Sequence, residues 1–430
     1  MKFFMPDWED KVDPEFNFQN DKPAKGRDTA RDVYAHEIFP LRPYDGVLIS
    51  RAVVEKSKTN YQALQKKGAH AYLRLPPGFQ VFGDCGAWSY VNETEPWYDT
   101  RDVLDYYAEI GVDYGASVDH LVVTSIYETQ TVEEVMPDGS VVTKEHERKI
   151  VMPEDERKRR IQLSLDNADE FLNLHRKCGY SFVPVGVAQG WDPTTYAQSV
   201  SALLKMGYTY IALGGLARSP AEGILQVLQS VRETIDSITT CSSDVQIHLF
   251  GVAKLSLLSA MKKYQVSSID SASYLRKAWL RSGQNYLGAD GKWYAAVRVP
   301  QSYNYKVREY IATNGKSLTE VEAQERRCLE TLEIYDREGL SANEFNEMLD
   351  QIVEYDTYLL RAGDDGQSLR DAKISSETYR RTLEAKPWKE CSCEICRALG
   401  VHVLIFRGTN RNKRRGFHNT WTFCQRLKAH

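Results

Sequence analysis

Residues 181–215 read SFVPVGVAQGWDPTTYAQSVSALLKMGYTYIALGG. Two strand-like apolar runs, SFVPVGVAQ (181–189) and YTYIALGG (208–215), enclose a stretch of helical character at 194–206. Strand, helix and strand with short joins are the unit of a parallel sheet covered by helices. Working outward, the same alternation extends from about residue 45 to residue 275. DGVLIS (45–50), HAYLRL (70–75), QVFGD (80–84) and YGASVD (114–119) precede the unit, and QIHLFGV (246–252) and VSSID (266–270) follow it. Further helical stretches lie at 155–177 and 220–236. Eight such strands predict a closed (β/α)8 TIM barrel, with a doubly wound open sheet as the alternative.

Size and composition are consistent with one large core plus accessories: 430 residues, 42% apolar and 27% charged. No apolar run approaches the roughly 20 residues that cross a bilayer. The opening MKFFMPDWEDKVD is interrupted by proline and acids, unlike a signal peptide. A net charge of −4 gives the whole chain no general attraction to a polyanion, so any such attraction must be local. Of the eight cysteines, Cys85, Cys178, Cys241, Cys328 and Cys424 are scattered, while Cys391, Cys393 and Cys396 crowd into CSCEICR. That is not a secreted disulfide framework, and a cytoplasmic location is expected.

The chain divides on this reading into an N-terminal extension (1–44), a barrel domain (45–300), a helical appendage (301–390) and a zinc subdomain (391–430). Within the barrel domain, VEEVMPDGSVVTKEHERKIVM (132–152) holds two alternating runs around PDGS and predicts a β-hairpin inserted at 126–152. SLTEVEAQE and SANEFNEML offer helix starts in the appendage.

In a parallel barrel the C-terminal strand ends gather at one mouth, where active sites are built. Here the runs end in Asp84, Asp119, Gln189, Gly214–Gly215, Phe250–Gly251 and Asp270. A single aspartate in that position caps a helix; three of them with an amide and a bare Gly-Gly read as a site. Two carboxylates flanking a glycosidic bond permit double displacement, one as nucleophile and one as acid then base. A third carboxylate, an amide and exposed backbone suit the edge of a planar heterocycle, with Trp88 and Phe250 placed to cover its faces or simply to pack.

Three thiolates and an imidazole satisfy tetrahedral Zn2+, and a closed shell makes the ion structural. Cys391, Cys393 and Cys396 are the thiols; His418 is the favoured fourth ligand, with His402, Cys424 and His430 also within reach. From Arg397 to His430 there are eight Lys or Arg residues and no acid. Arg411, Lys413, Arg414 and Arg415 are thus candidate phosphate contacts, against the plainer reading of a solvated basic face.

These motifs, in this order, resemble the tRNA-guanine transglycosylase superfamily, which joins a TIM barrel to a zinc subdomain. The resemblance covers the chain from about residue 45 onward, apart from the hairpin and helical inserts. FGDCGAWSY is similar to the family's Asp-Ser-Gly-Gly motif, which implies Asp84 as acid/base and Trp88 as a stacking aromatic. SVDH and GVAQG place Asp119 and Gln189 at base-reading positions; LGGL supplies Gly214, Gly215 and Leu216, and LFGVAK sets Phe250 over the base. IDSASY implies Asp270 as nucleophile, and Arg276 falls where the family keeps a nucleic-acid contact. The Cys-x-Cys-x-x-Cys…His spacing is similar to the family's zinc signature.

Trp88-Ser89 stands where tRNA enzymes have Tyr-Gln or Phe-Gln, and Ala87 replaces a glycine. With the inserts and the KRRGFHN ending, these departures resemble the DNA-acting branch. That branch implies exchange of guanine in DNA for 7-cyano-7-deazaguanine (preQ0) in a bacterial or phage restriction-modification system, with a partner ATPase. A tRNA substrate, or a catalytically dead nucleic-acid-binding protein, are the alternatives. Because one glycosidic bond replaces another, the exchange itself requires no ATP or redox cofactor.

Overall fold

A computed structural model describes residues 1–6, 8–135, 141–239, 244–280, 282–303, 305–313, 315–360 and 376–429; side chains at 128–147 and 304–306 are likewise outside the description. The PDGS turn lies outside the described residues. The chain forms two compact units, one of Met1–Trp8 with Asp45–Ser271, the other of Glu9–Tyr44 with Ala272–Ala429.

The first unit is a closed parallel barrel of eight strands: β1 (Lys2–Met5), β2 (Gly46–Ser50), β3 (Gln80–Asp84), β4 (Tyr114–Ala116), β5 (Val183–Ala188), β6 (Tyr210–Leu213), β7 (Gln246–Leu249) and β8 (Val266–Asp270). Neighbours follow chain order, and β1 closes the ring between β8 and β2, with Phe4 opposite both Asp270 and Gly46. Its interior is filled by Phe4, Leu48, Phe82, Tyr114, Val187 and Tyr210, contributed by alternate residues that the pleat turns inward.

The strand count agrees with expectation, but one strand does not. HAYLRL is not a strand: Ala69–Tyr72 forms a single helical turn after Gly68. A four-to-six-residue apolar run is compatible with either element, because periodicity needs more length to declare itself. The eighth strand is KFFM at Lys2–Met5, assigned above to an N-terminal extension. Likewise, residues 272–300, expected in the barrel domain, pack with 9–44 in the second unit.

Helices α1 (Lys58–Lys67), α2 (Thr100–Ile110), α3 (Glu154–Cys178), α4 (Pro193–Met206), α5 (Ala221–Ile238) and α6 (Leu258–Lys263) lie between the strands. The α4 start is capped by Asp192, whose carboxylate accepts the Thr195 N–H at 2.8 Å. The insert is an antiparallel hairpin, Ser125–Val135 with Val141–Val151.

In the second unit the charged region contains α7 (Leu318–Arg337), α8 (Ala342–Leu360) and α9 (Ser376–Ala385). Both expected helix starts are capping boxes, Ser317 with Glu320 and Ser341 with Glu344. The unit ends in α10 (Gly408–Ala429). Among the described residues no helix is long and apolar enough to cross a membrane.

Candidate active site

The barrel brings the polar strand ends to one mouth. Asp84 and Asp270 are the last residues of β3 and β8; Gln189, Gly214 and Phe250 directly follow β5, β6 and β7, and Asp119 follows β4 by three residues. All six belong to the first unit.

Burial pushes the Asp84 carboxyl up to about 7, and the nearby Asp119 and Asp270 charges push in the same direction. Hydrogen bonds from the Gly86 N–H and the Ser50 hydroxyl oppose the rise. Gly86 has φ +91°, and a Cβ there would lie 2.5 Å from Ser50 Oγ, so only glycine fits this turn. Asp119 is buried, and burial raises it to about 6 against the hydrogen bonds it accepts. The Cys85 thiol donates to Oδ1 at 3.2 Å and the Gln189 amide to Oδ2 at 2.6 Å. Gln189 Oε1 in turn accepts the Val122 N–H at 3.2 Å.

The bare Gly-Gly now has a steric reason. A Cβ on Gly214 would sit 2.1 Å from Gln189 Nε2, so the amide reaches Asp119 through the space a side chain would fill. At Asp270, Oδ1 accepts the Gly251 N–H at 2.9 Å and lies 3.2 Å from His248 Nε2. His248 is fully buried; its Nδ1 is 2.6 Å from Ser268 Oγ, which is 2.5 Å from Tyr210 OH. Tyr210 O–H to Ser268, Ser268 O–H to His248 Nδ1 and His248 Nε2–H to Asp270 is the order in which every donor has an acceptor. Oδ2 of Asp270 takes no hydrogen bond among the described residues. Phe250 leans on Phe82 and His248 with ring centroids 5.8 and 4.7 Å away, whereas Trp88 stands 42% exposed at the rim.

His248, Ser268, Tyr210, Ser50 and Cys85 were not singled out from sequence. His248 and Ser268 lie inside apolar runs, where alternation shows which face a residue takes but not what it meets there. Arg160, also missed, sits on α3 and donates to the carbonyls of Val91, Glu93 and Leu121, tying the loops behind the mouth.

In the second unit, Cys391, Cys393, Cys396 and His418 are all buried, with their ligand atoms within 4.8 Å of one another. The three sulfurs lie 3.6, 3.4 and 3.3 Å from His418 Nδ1. A tetrahedral zinc with ordinary bond lengths gives S···N edges of about 3.6 Å, so the donor set fits such an ion. His418 Nε2 is 2.9 Å from the Leu287 carbonyl, which orients the ring with Nδ1 toward the thiols. Of the other imidazoles considered, His402 is engaged elsewhere, with Glu333 and Arg411, and His430 lies outside the described residues. Cys424 is buried but is not in the cluster.

The basic tail is different from its sequence reading. Arg411, Arg414 and Arg415 are at most 8% exposed. Arg411 pairs with Asp21, Arg414 donates to the Asp13 carbonyl, and Arg415 donates to the carbonyls of Ala278, Val403 and Ile405. Lys413 pairs with Asp10 at 2.9 Å. These guanidinium groups are consumed inside the unit and are not free for phosphates. Basic residues on the buried face of a helix add to the charge count without adding to the charge of the surface. Arg276 is exposed on the short helix Ser273–Lys277.

No family model matches the sequence. Against curated proteins, it is 35% identical over 441 residues to one named DNA-guanine transglycosylase from Salmonella montevideo, with all of this chain and 97% of that protein covered. The chain belongs to the DNA-guanine transglycosylase family. It is therefore a transglycosylase of the superfamily that its motifs resemble, in the DNA-acting branch. Membership at this coverage extends over the hairpin and the helical region as well as the barrel, so neither is foreign to the family.

Proposed function

We propose that this chain exchanges guanine in DNA for 7-cyano-7-deazaguanine through a covalent intermediate at Asp270. The observation that carries the reading is the convergence of Asp84, Asp119, Gln189 and Asp270 at one barrel mouth, in a chain similar over its full length to a protein named DNA-guanine transglycosylase.

Asp270 Oδ2 attacks C1′ of the target deoxyguanosine. The C1′–N9 bond breaks, its electron pair passes to guanine, and Asp84 supplies the proton that guanine takes on leaving. The incoming base gives its N9 proton back to Asp84 and attacks C1′; the C1′–O bond breaks and the Asp270 carboxylate is restored. Two inversions retain the β configuration. An acid near pH 7 suits Asp84, which must give a proton and then accept one. Asp119 and Gln189 read the polar edge of the base, Gly214, Gly215 and Leu216 leave its rim open, and Trp88 and Phe250 cover its faces.

Cys391, Cys393, Cys396 and His418 hold zinc, which in a closed four-ligand shell contributes folding energy and offers no open coordination position. Arg276 remains a candidate nucleic-acid contact, and a partner ATPase belongs to the same reading.

The test uses purified protein with labelled deazaguanine and either DNA or tRNA. Label entering DNA, and none with Asp270→Asn at unchanged fold, is expected. Wild-type incorporation by Asp270→Asn, or label in tRNA alone, overturns the nucleophile or the substrate respectively.

A further inference from the structure

Beside the candidate base site lies a cavity of about 780 Å³, between the root of the inserted hairpin and the loops after β3, β5 and β6. It falls within the roughly 300–1,000 Å³ of ligand-binding clefts. Its wall carries three cations, Lys149, Arg157 and Arg218, and four large aromatics, Trp88, Tyr127, Trp191 and the buried Tyr196. None of the three cations is in an ion pair among the described residues, and the Arg157 Nε is buried with no hydrogen-bond partner. The carboxylate on the wall, Asp192, is engaged as the α4 cap.

Tyr127 and Lys149 face each other directly across the hairpin, so their side chains emerge on one face of it. The Tyr127 N–H donates to Asn92 Oδ1 at 3.1 Å, which fixes the hairpin root against the mouth. Tyr127 is 48% exposed, and Arg218 lies 4.9 Å from the centre of the half-exposed Trp88 ring. Exposed large aromatics set among unpaired cations are the two components of single-strand recognition: rings on which bases stack, and charge that follows the phosphates. Trp88, Gly215 and Leu216, which the proposed function assigns to the base site, also line this cleft, so on that reading the two are continuous.

A guanosine can present C1′ to Asp270 only after leaving the helical stack, which strips its neighbours of a stacking partner. We infer that this cleft binds the DNA strand flanking the extruded guanosine, with Lys149, Arg157 and Arg218 on phosphates and Tyr127 and Trp191 stacked on adjacent bases. The hairpin thus serves as one wall of the substrate channel, a role that rests on the DNA reading proposed above.

The experiment measures binding of a labelled guanine-containing single-stranded oligodeoxynucleotide to the full chain across a salt series, alongside steady-state exchange. Tyr127→Ala is expected to weaken binding about tenfold, in the range of losing one stacked base. Lys149→Ala with Arg157→Ala should flatten the salt dependence of log affinity by about 0.7 for each phosphate no longer neutralised. Both should raise KM for DNA while leaving KM for the free base and kcat at saturating DNA unchanged. Variants with wild-type affinity, salt slope and KM for DNA overturn the cleft assignment alone. A wild-type protein that exchanges no guanine in DNA overturns the underlying reading, and this one with it.

Discussion

At Asp84, burial and two neighbouring carboxylates hold a proton that water would remove. An ordinary aspartate titrates near 4, so a folded value of about 7 means that the native state binds the proton more tightly than the unfolded chain. The sign follows: this group's contribution to stability declines as pH rises from about 4 to about 7 and stays low above that. Asp84→Asn is therefore expected to stabilise the barrel at pH 8, by on the order of 1–2 kcal/mol, and to give no gain at pH 4. Denaturant unfolding of the two proteins at both pH values checks this. In single-turnover assays of guanine release, the wild-type rate should fall as pH rises through about 7, as the acid form is lost. His248 lies one hydrogen bond behind Asp270, and on the proposed mechanism it is a positioning residue for that carboxylate. His248→Phe should lower kcat about 10- to 100-fold with KM for the base nearly unchanged, and His248→Asn or His248→Gln should recover part of the loss. A fall in stability with kcat intact would mean that the relay only packs the core.

At the scale of elements, the parallel strand converts sequence position into spatial convergence. Each strand ends at the same level, so residues far apart in sequence, such as Asp119 and Gln189, meet at hydrogen-bonding distance. The turn after β6 shows how little room this leaves. Gly214→Ala sets a Cβ where the Gln189 amide lies, and the amide must withdraw from Asp119. KM for the base should rise about tenfold while the melting temperature changes little; an unchanged KM would show that Gln189 does not read the base. The helix starts at Ser317 and Ser341 were legible because capping boxes are local. The run at 70–75 was not, because a short apolar segment has no period of its own.

At the scale of the whole molecule, each of the two units buries its own apolar core, the barrel around Phe4, Phe82 and Val187 and the second unit around residues such as Val321, Leu332, Ile352 and Phe423. The second unit adds to this a buried Cys3His cluster and buried arginines. Arg415, fully buried with carbonyl partners and no carboxylate partner among the described residues, is pushed down to about 9 by burial and by Arg411. Metal analysis of the purified protein should give about one zinc per chain. Cys393→Ser should remove the metal and lower the unfolding midpoint of the second unit, because ligands brought together by folding return binding energy as folding energy. A metal-free preparation with an unchanged midpoint would refute the zinc assignment.

The sequence by itself determined what repeats or is local: the strand–helix alternation, the residues at strand ends, the helix caps and the Cys-x-Cys-x-x-Cys spacing. Tertiary structure alone decided that KFFM closes the barrel, that His248 backs Asp270, and that the basic tail turns inward to Asp21 and backbone carbonyls. The reason is physical. Periodicity records which way a side chain faces along its own element, whereas a residue's role depends on partners supplied by elements hundreds of residues away, and burial then decides whether a charge meets solvent or protein.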